Sequence, residues 1–234
     1  NNATEGNKII YACHFAGMIP AGPGKSHQSV RDISLFSALP NITIIQPCNS
    51  NETKLALRYF VEEADGPCVL RMNIGPSPQI IKQPENYRFH KGMGSIIKDG
   101  DDACIVSYGP VMLNEALIAS EILQGNGIGL RVVNMPWLNI TGDGFFNNCL
   151  LEDKMNYILE DHVKFGGLFD HLNASKNLGG HKQKITCLGL DVFPQCGNPV
   201  EVLNYHKLNG ASIAEVIGDN LGKKIQEPIS DNYS

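Results

Sequence analysis

The chain has 234 residues and a formal net charge of -5, with 42% hydrophobic and 18% charged residues. This composition buries a core and excludes a disordered chain, and the acidic balance argues against nucleic acid as a partner. There is no apolar run of the roughly eighteen residues a membrane helix needs, and the opening NNATEGNK lacks the basic-then-apolar order of a signal peptide, so a cytoplasmic protein is expected.

Seven cysteines, scattered singly with no CxxC pair, fit free thiols in a reducing cytosol. The chain then alternates between two patterns. A strand is expected over Lys8 to Cys13. A loop rich in Gly and Pro follows from His14 to Ser26, and a helix from Gln28 to Ala38 carries Val30, Ile33, Phe36 and Leu39 at helical spacing. Pro40 and Asn41 break that helix. The apolar run Ile42 to Gln46 reads as a strand buried on both faces, and Ser50 or Asn49 caps a helix to about Ala64. Cys68 to Met72 is the next strand.

Residues 74–91, with three prolines and no periodicity, read as a linker. Beyond it come a hairpin-like pair, Met93 to Lys98 and Ala103 to Tyr108, then a helix from Val111 to Gly125 and a strand from Gly129 to Asn134. A helix from about Phe145 to Met155, a strand from Tyr157 to Glu160, a helix through Leu172 and a strand from Ile185 to Gly189 follow. Helices over Pro199 to Leu208 and Ser212 to Lys223 close the pattern. Alternating strands and helices imply an α/β protein: two three-layer domains with mostly parallel sheets covered by helices.

The His14–Asp32 stretch carries the candidate chemistry. Glycine permits close backbone approach, proline stiffens the turns, and a polar cluster at a strand's carboxyl end is how α/β proteins build ligand sites. Gly24-Lys25-Ser26 ends like a phosphate-binding P-loop, but the glycine that pattern needs is Ile19 here, so the nucleotide reading fails. Gly142-Asp143-Gly144 with Asn147 and Asn148 reads as a surface turn into a helix. His181, Lys182 and Lys184 read as a solvated loop, and His162, His171 and His181 have no metal-ligand spacing. Glu160-Asp161-His162 reads as a polar strand-end cluster hydrogen-bonded at a domain or subunit contact. His14, His27 and Arg71 all fall at strand ends or helix starts of the first half. Two imidazoles and a guanidinium suit an anionic, hydroxylated ligand.

These residues point to a family. The run SHQSVRDISLFSALPNITIIQPCNSNE resembles the pyrimidine-binding domain of the transketolase superfamily, through Ser26-His27-Gln28, Asp32-Ile33, Leu39-Pro40-Asn41, Gln46-Pro47 and Asn51-Glu52. The second half resembles the family's C-terminal domain, through VSYGPVMLNEALIASEIL, RVVNMPWL, ILEDHVKFGGL and Gly189-Leu190-Asp191-Val192-Phe193. The implied division is 1–73 for the end of a pyrimidine-binding domain, 74–91 for the linker and 92–234 for the C-terminal domain.

The resemblance implies ketol transfer between sugar phosphates with thiamine diphosphate and Mg²⁺. It places His27 beside the cofactor as a catalytic and cofactor-binding residue, His14 against substrate, and Arg71 on the substrate phosphate. Lys25 stands in a loop reading AGPGKSH, where relatives carry an aspartate-bearing turn, and is a further candidate for a phosphate or carboxylate. The upstream part of the pyrimidine domain and the diphosphate domain are expected elsewhere, so a homo- or hetero-oligomer with a diphosphate-binding subunit is implied, with no nucleic acid and no membrane. Alternatives are a deoxyxylulose phosphate synthase, an oxo-acid dehydrogenase beta subunit, or a non-catalytic remnant that assembles or regulates.

Overall fold

A computed structural model describes residues 2–142, 144–178 and 185–226. The first half contains β1 (Ile10–Cys13), α1 (Asp32–Ser37), β2 (Thr43–Ile45), α2 (Ser50–Glu62) and β3 (Cys68–Arg71). Its strands run parallel in the order β1-β3-β2. β2 and β3 are buried on both faces, which is why they read as continuous apolar runs. Asn49 starts α2 as expected, its side chain accepting from the Glu52 N–H at 2.8 Å.

The second half contains β4 (Ser95–Lys98), β5 (Ala103–Ser107), α3 (Pro110–Gly125), β6 (Leu130–Asn134), α4 (Phe145–Cys149), β7 (Met155–Val163), α5 (Leu168–Leu178), β8 (Ile185–Leu190), α6 (Pro199–Tyr205) and α7 (Gly210–Asn220). The sheet order is β4-β6-β5-β7-β8, parallel except for the antiparallel edge strand β4. The molecule is therefore an α/β protein with mostly parallel sheets covered by helices, as its alternating pattern implied. Residues 74–91 carry no regular element. Among the described residues no helix is long and apolar enough to cross a membrane.

Three expectations need correction. β4 and β5 do not form a hairpin, because β6 lies between them. The turn joining them is bound instead to the start of β6: Asp102 accepts from the Gly129 N–H at 2.8 Å, and Gly100 packs on Gly129 and Leu130. The helix expected from Gln28 begins only at Asp32, because Gln28 and Ser29 are drawn into the preceding loop. The helix expected to reach Met155 stops at Cys149, where Asn156 folds back and bonds both backbone groups of Leu151.

The two halves share their cores. One apolar cluster joins Met18, Ile19 and Val30 of the first half to Val111, Met112 and Ile217 of the second. The other joins Ile33, Ile44 and Phe60 to Tyr108, Val133 and Trp137. The open edge of β2 is covered by residues 136–138, through Gln46 N–H to the Pro136 carbonyl and Leu138 N–H to the Ile44 carbonyl, both 2.9 Å. The fully buried Trp137 then meets Tyr59 edge-on at 4.9 Å and Phe89 of the linker at 5.0 Å. Residues 83–87 are fastened by Glu52, whose buried carboxylate accepts from Gln83, Tyr87 and, on β6, Asn134. Such shared burial gives the strand ends of the first half a fixed frame.

Candidate functional site

The loop after β1 is a closed neck carrying an open tip. Gly17 N–H donates to the Ser29 carbonyl at 2.7 Å, and Ser29 N–H donates to the Phe15 carbonyl at 3.2 Å. The neck is tied to the exit of β3 by Ala16 N–H to the Met72 carbonyl at 2.9 Å, and by Asn73, whose amide donates to the Ala16 and Ile19 carbonyls. Gln28 reaches inward, donating to the Met18 carbonyl at 3.0 Å and to the Gln195 carbonyl of the second half at 2.9 Å. These bonds satisfy backbone groups that a loop this deep would otherwise bury unpaired.

On that base His14, Lys25, Ser26 and His27 are all exposed. The His27 ring stands edge-on to Phe15 at 5.0 Å, and its Nδ1 lies 2.9 Å from the Ser26 hydroxyl. Phe15, the chain neighbour of His14, is held at φ +25°, a conformation a bulky side chain rarely adopts. The structure thus places three of the four expected site residues on one exposed loop. With Ser26 at Nδ1, Nε2 is the ring nitrogen of His27 left for a further hydrogen bond.

Arg71 does not join them. It is 0% exposed, and its donors are engaged inside the protein. Nε donates to Asp32 at 2.8 Å, Nη1 to Asp161 at 2.9 Å and to Gln46, and Nη2 to the Ser29 carbonyl at 3.2 Å. The Tyr108 ring lies 5.5 Å from its guanidinium carbon. Burial opposes the charge, but the pull of Asp161 and Asp32 outweighs it and holds Arg71 protonated. The expected contact with a substrate phosphate is therefore corrected: in this structure Arg71 is an internal clamp between the halves.

Glu160, Asp161 and His162 form the other side of that contact. His162 is buried, its Nδ1 bonded to the Val163 carbonyl at 2.7 Å and its Nε2 facing the Ser34 N–H at 3.4 Å. Burial and then the Arg71 charge push its protonation below the usual histidine range, which suits an Nε2 that must accept. Glu160 accepts from the Leu168 N–H at 2.8 Å and from the Cys187 thiol at 3.3 Å. The cluster is thus a hydrogen-bonded polar contact between the halves, as its strand-end position suggested. Asp32, Gln46 and Asp161 were not singled out as partners of Arg71. Their only sequence signal is a polar residue at the end of an apolar strand, for Gln46 and Asp161, or at the start of a helix, for Asp32.

Burial pushes Glu160 up to about 7. A carboxyl raised in the folded state contributes stability below its unfolded value, and that contribution is lost as pH rises toward 7. Between about pH 4.5 and 7 this group alone should lower stability by up to about 1.4 kcal/mol per pH unit. Thermal melts of Glu160→Gln against wild type should show the difference moving in the variant's favour from pH 5 to pH 8. A pH-independent difference would contradict the assignment.

The second half also reaches the loop. Cys196, exposed, places its Sγ 3.3 Å from where a Gly24 Cβ would stand. Gly142 is a packed turn: its N–H donates to the Gly92 carbonyl at 2.9 Å, and a Cβ on it would stand 2.5 Å from the Lys91 carbonyl. Asp143 lies outside the described residues, as do His181, Lys182 and Lys184. Among the described residues no three His, Cys, Asp or Glu side chains converge to hold a metal ion. The described residues thus offer no side-chain cluster of that kind for an Mg²⁺ ion.

Residues 2–75 match the model of the transketolase pyrimidine binding domain, and residues 92–213 match that of the transketolase C-terminal domain. A transketolase C-terminal section from Methanocaldococcus jannaschii is 32% identical, over 93% of this chain and 67% of that protein. A 1-deoxy-D-xylulose-5-phosphate synthase from Geobacillus thermodenitrificans is 27% identical over 92% of this chain, which spans only 34% of that enzyme. Among solved structures, a split-gene transketolase described as an inactive beta4 tetramer matches with a TM-score of 0.77 at 24% identity, over 94% of this chain and 69% of that one. A transketolase from Pichia stipitis matches with a TM-score of 0.76 at 21% identity, over 99% of this chain and 33% of that one. The chain belongs to the transketolase family, of which it carries pyrimidine-binding and C-terminal domain sequence.

Proposed function

We propose that this chain builds the sugar-facing wall of a thiamine diphosphate-dependent ketol-transfer site, with the diphosphate and Mg²⁺ held by a partner domain or subunit. The observation that carries this reading is the loop that exposes His14, Lys25 and His27 together on a neck bonded to the strand ends. Thiamine diphosphate supplies the hard step, the breaking and making of the carbon–carbon bond. This chain's residues orient the sugar and move protons. His27, oriented by Ser26 and Phe15, exchanges a proton with a sugar hydroxyl. His14 hydrogen-bonds a second hydroxyl. Lys25 attracts the phosphate as a point charge from the rim.

The test is a ketol-transfer assay on this chain assembled with its diphosphate-binding partner, using phosphorylated ketose and aldose. Transfer that depends on added thiamine diphosphate and Mg²⁺ is expected. A complex that binds the cofactor and transfers no ketol unit would sink the proposal. In the same assay Lys25→Ala should raise KM for phosphorylated sugar about tenfold, with kcat little changed, because a charge-assisted hydrogen bond is worth about 1.5–3 kcal/mol. An equal effect on the unphosphorylated sugar would remove Lys25 from the phosphate.

A second reading, synthesis of deoxyxylulose phosphate, is favoured by the synthases among the relatives, at 26–29% identity. Chromatography of the product, with deoxyxylulose phosphate as the standard, separates the two.

A further inference from the structure

We infer that Asp161, supplied by the C-terminal half, is a positioning residue for the loop that carries His14 and His27. This rests on the reading of His27 given above, and concerns how the site is held rather than what it transfers.

The argument follows a continuous set of bonds. Asp161 is 1% exposed at the carboxyl end of β7. One carboxylate oxygen, Oδ1, accepts from Arg71 Nη1 at 2.9 Å. The other, Oδ2, occupies the space beside Gly17: a Cβ built on Gly17 would stand 1.7 Å from it. Gly17 has φ +76°, so glycine is required there on two counts, the backbone conformation and the approach of Asp161. Gly17 is also where the loop neck closes, through its bond to the Ser29 carbonyl.

Arg71 completes the hold from the other side. Its Nη2 donates to the same Ser29 carbonyl at 3.2 Å, so one carbonyl receives both Gly17 and the residue Asp161 fixes. Arg71 also donates to Gln46, whose amide donates to Asn73 at 2.8 Å, and Asn73 in turn holds the Ala16 and Ile19 carbonyls. Two residues beyond Asp161, Val163 N–H donates to the Val30 carbonyl at 3.0 Å. The end of β7 therefore touches the entry and the exit of the loop at once. Phe15, on which the His27 ring rests, lies in that neck. A shift at Asp161 is carried to Phe15 through Gly17 and Ser29, and from Phe15 to His27. Misplacement of a reacting group by about 1 Å can lower a rate about a hundredfold, so a carboxylate that touches no substrate can still govern turnover.

The experiment reads the rings directly. Histidine and phenylalanine side chains of this chain are isotope-labelled and their NMR signals assigned. Asp161→Asn keeps the shape and removes the charge. The His27 and Phe15 ring signals should shift, while His90, in the linker, stays in place. Asp161→Glu keeps the charge Arg71 needs and lengthens the side chain toward Gly17, so it reports on the contact if the asparagine variant fails to fold. Tyr157→Phe, which removes only the 2.9 Å bond to Asn220, is the control for destabilisation and should leave both rings unmoved. A folded Asp161→Asn or Asp161→Glu protein with unchanged His27 and Phe15 signals would overturn the inference. In the assembled enzyme, kcat of Asp161→Asn should fall about tenfold with KM for sugar phosphate near wild type, and KM rising alone would also count against it. Ring shifts without ketol transfer in the wild-type complex would leave the positioning role standing and remove the ketol-transfer reading instead.

Discussion

Replacing Arg71 with methionine should destabilise the chain by about 3–5 kcal/mol, read as the change in unfolding free energy from denaturant titration followed by circular dichroism at pH 7. Arg71 is fully buried between two carboxylates, Asp32 at 2.8 Å and Asp161 at 2.9 Å. Removing the cation leaves both acids buried without their partner, and it leaves the Gln46 side chain and the Ser29 carbonyl short of a donor. An ordinary domain has about 5–15 kcal/mol in total, so the variant should be partly unfolded at moderate temperature. Adding Asp161→Asn to Arg71→Met should restore part of the stability, since two of the three charges are then gone together. The outcome also decides between two roles for Arg71. A residue that waits for a substrate phosphate changes KM when removed and leaves the fold alone. A loss under 1 kcal/mol would show that the clamp is screened by solvent and would reopen the phosphate role.

That clamp marks where sequence reading reaches its limit. The alternation of strands and helices was legible because each apolar run is local. The runs Ile42 to Gln46 and Cys68 to Met72 are buried on both faces, and the Asn49 cap is fixed by a residue three positions away. The exposed cluster was legible too, since proline and glycine around Lys25 and His27 signal an open loop. Strand neighbours were not. Met93 to Lys98 and Ala103 to Tyr108 are adjacent in sequence, yet β6 enters between them because Asp102 and Gly100 bind its first residues. The start of α1 was misjudged for a related reason. Helical spacing begins at Val30, but the backbone of Ser29 is already bonded to Phe15 and Gly17. A strand-end arginine draws attention to Arg71 but does not reveal its neighbours. Its carboxylate partners lie 39 and 90 residues away, and nothing in the local pattern of a strand-end arginine says whether its fork will face a ligand or two buried acids. A family pattern carries the residue type from one protein to the next. It does not carry burial.

His27→Ala should lower ketol transfer by the assembled enzyme by about 10²–10⁴-fold while leaving the fold nearly intact, the range expected when a positioned proton-transfer group is removed. The two halves of this expectation have separate causes. His27 is exposed, and its contacts are one hydroxyl and one ring edge, Ser26 at 2.9 Å and Phe15 at 5.0 Å. Their loss is worth about 0.5–1.5 kcal/mol, so the melting transition should move little. On the proposed reading the rate depends instead on the ring nitrogen that those same contacts orient. If the imidazole merely bound a hydroxyl, its removal would raise KM in step with the lost binding and leave kcat near wild type. Proton transfer predicts the opposite split, a fall in kcat with KM little changed. His27→Gln sharpens the comparison, because its amide keeps a hydrogen bond but cannot take up a proton at neutral pH. It should bind substrate nearly as well as wild type and turn over as slowly as the alanine variant. Turnover by His27→Gln within threefold of wild type would assign His27 to hydrogen bonding alone and leave the proton to another group.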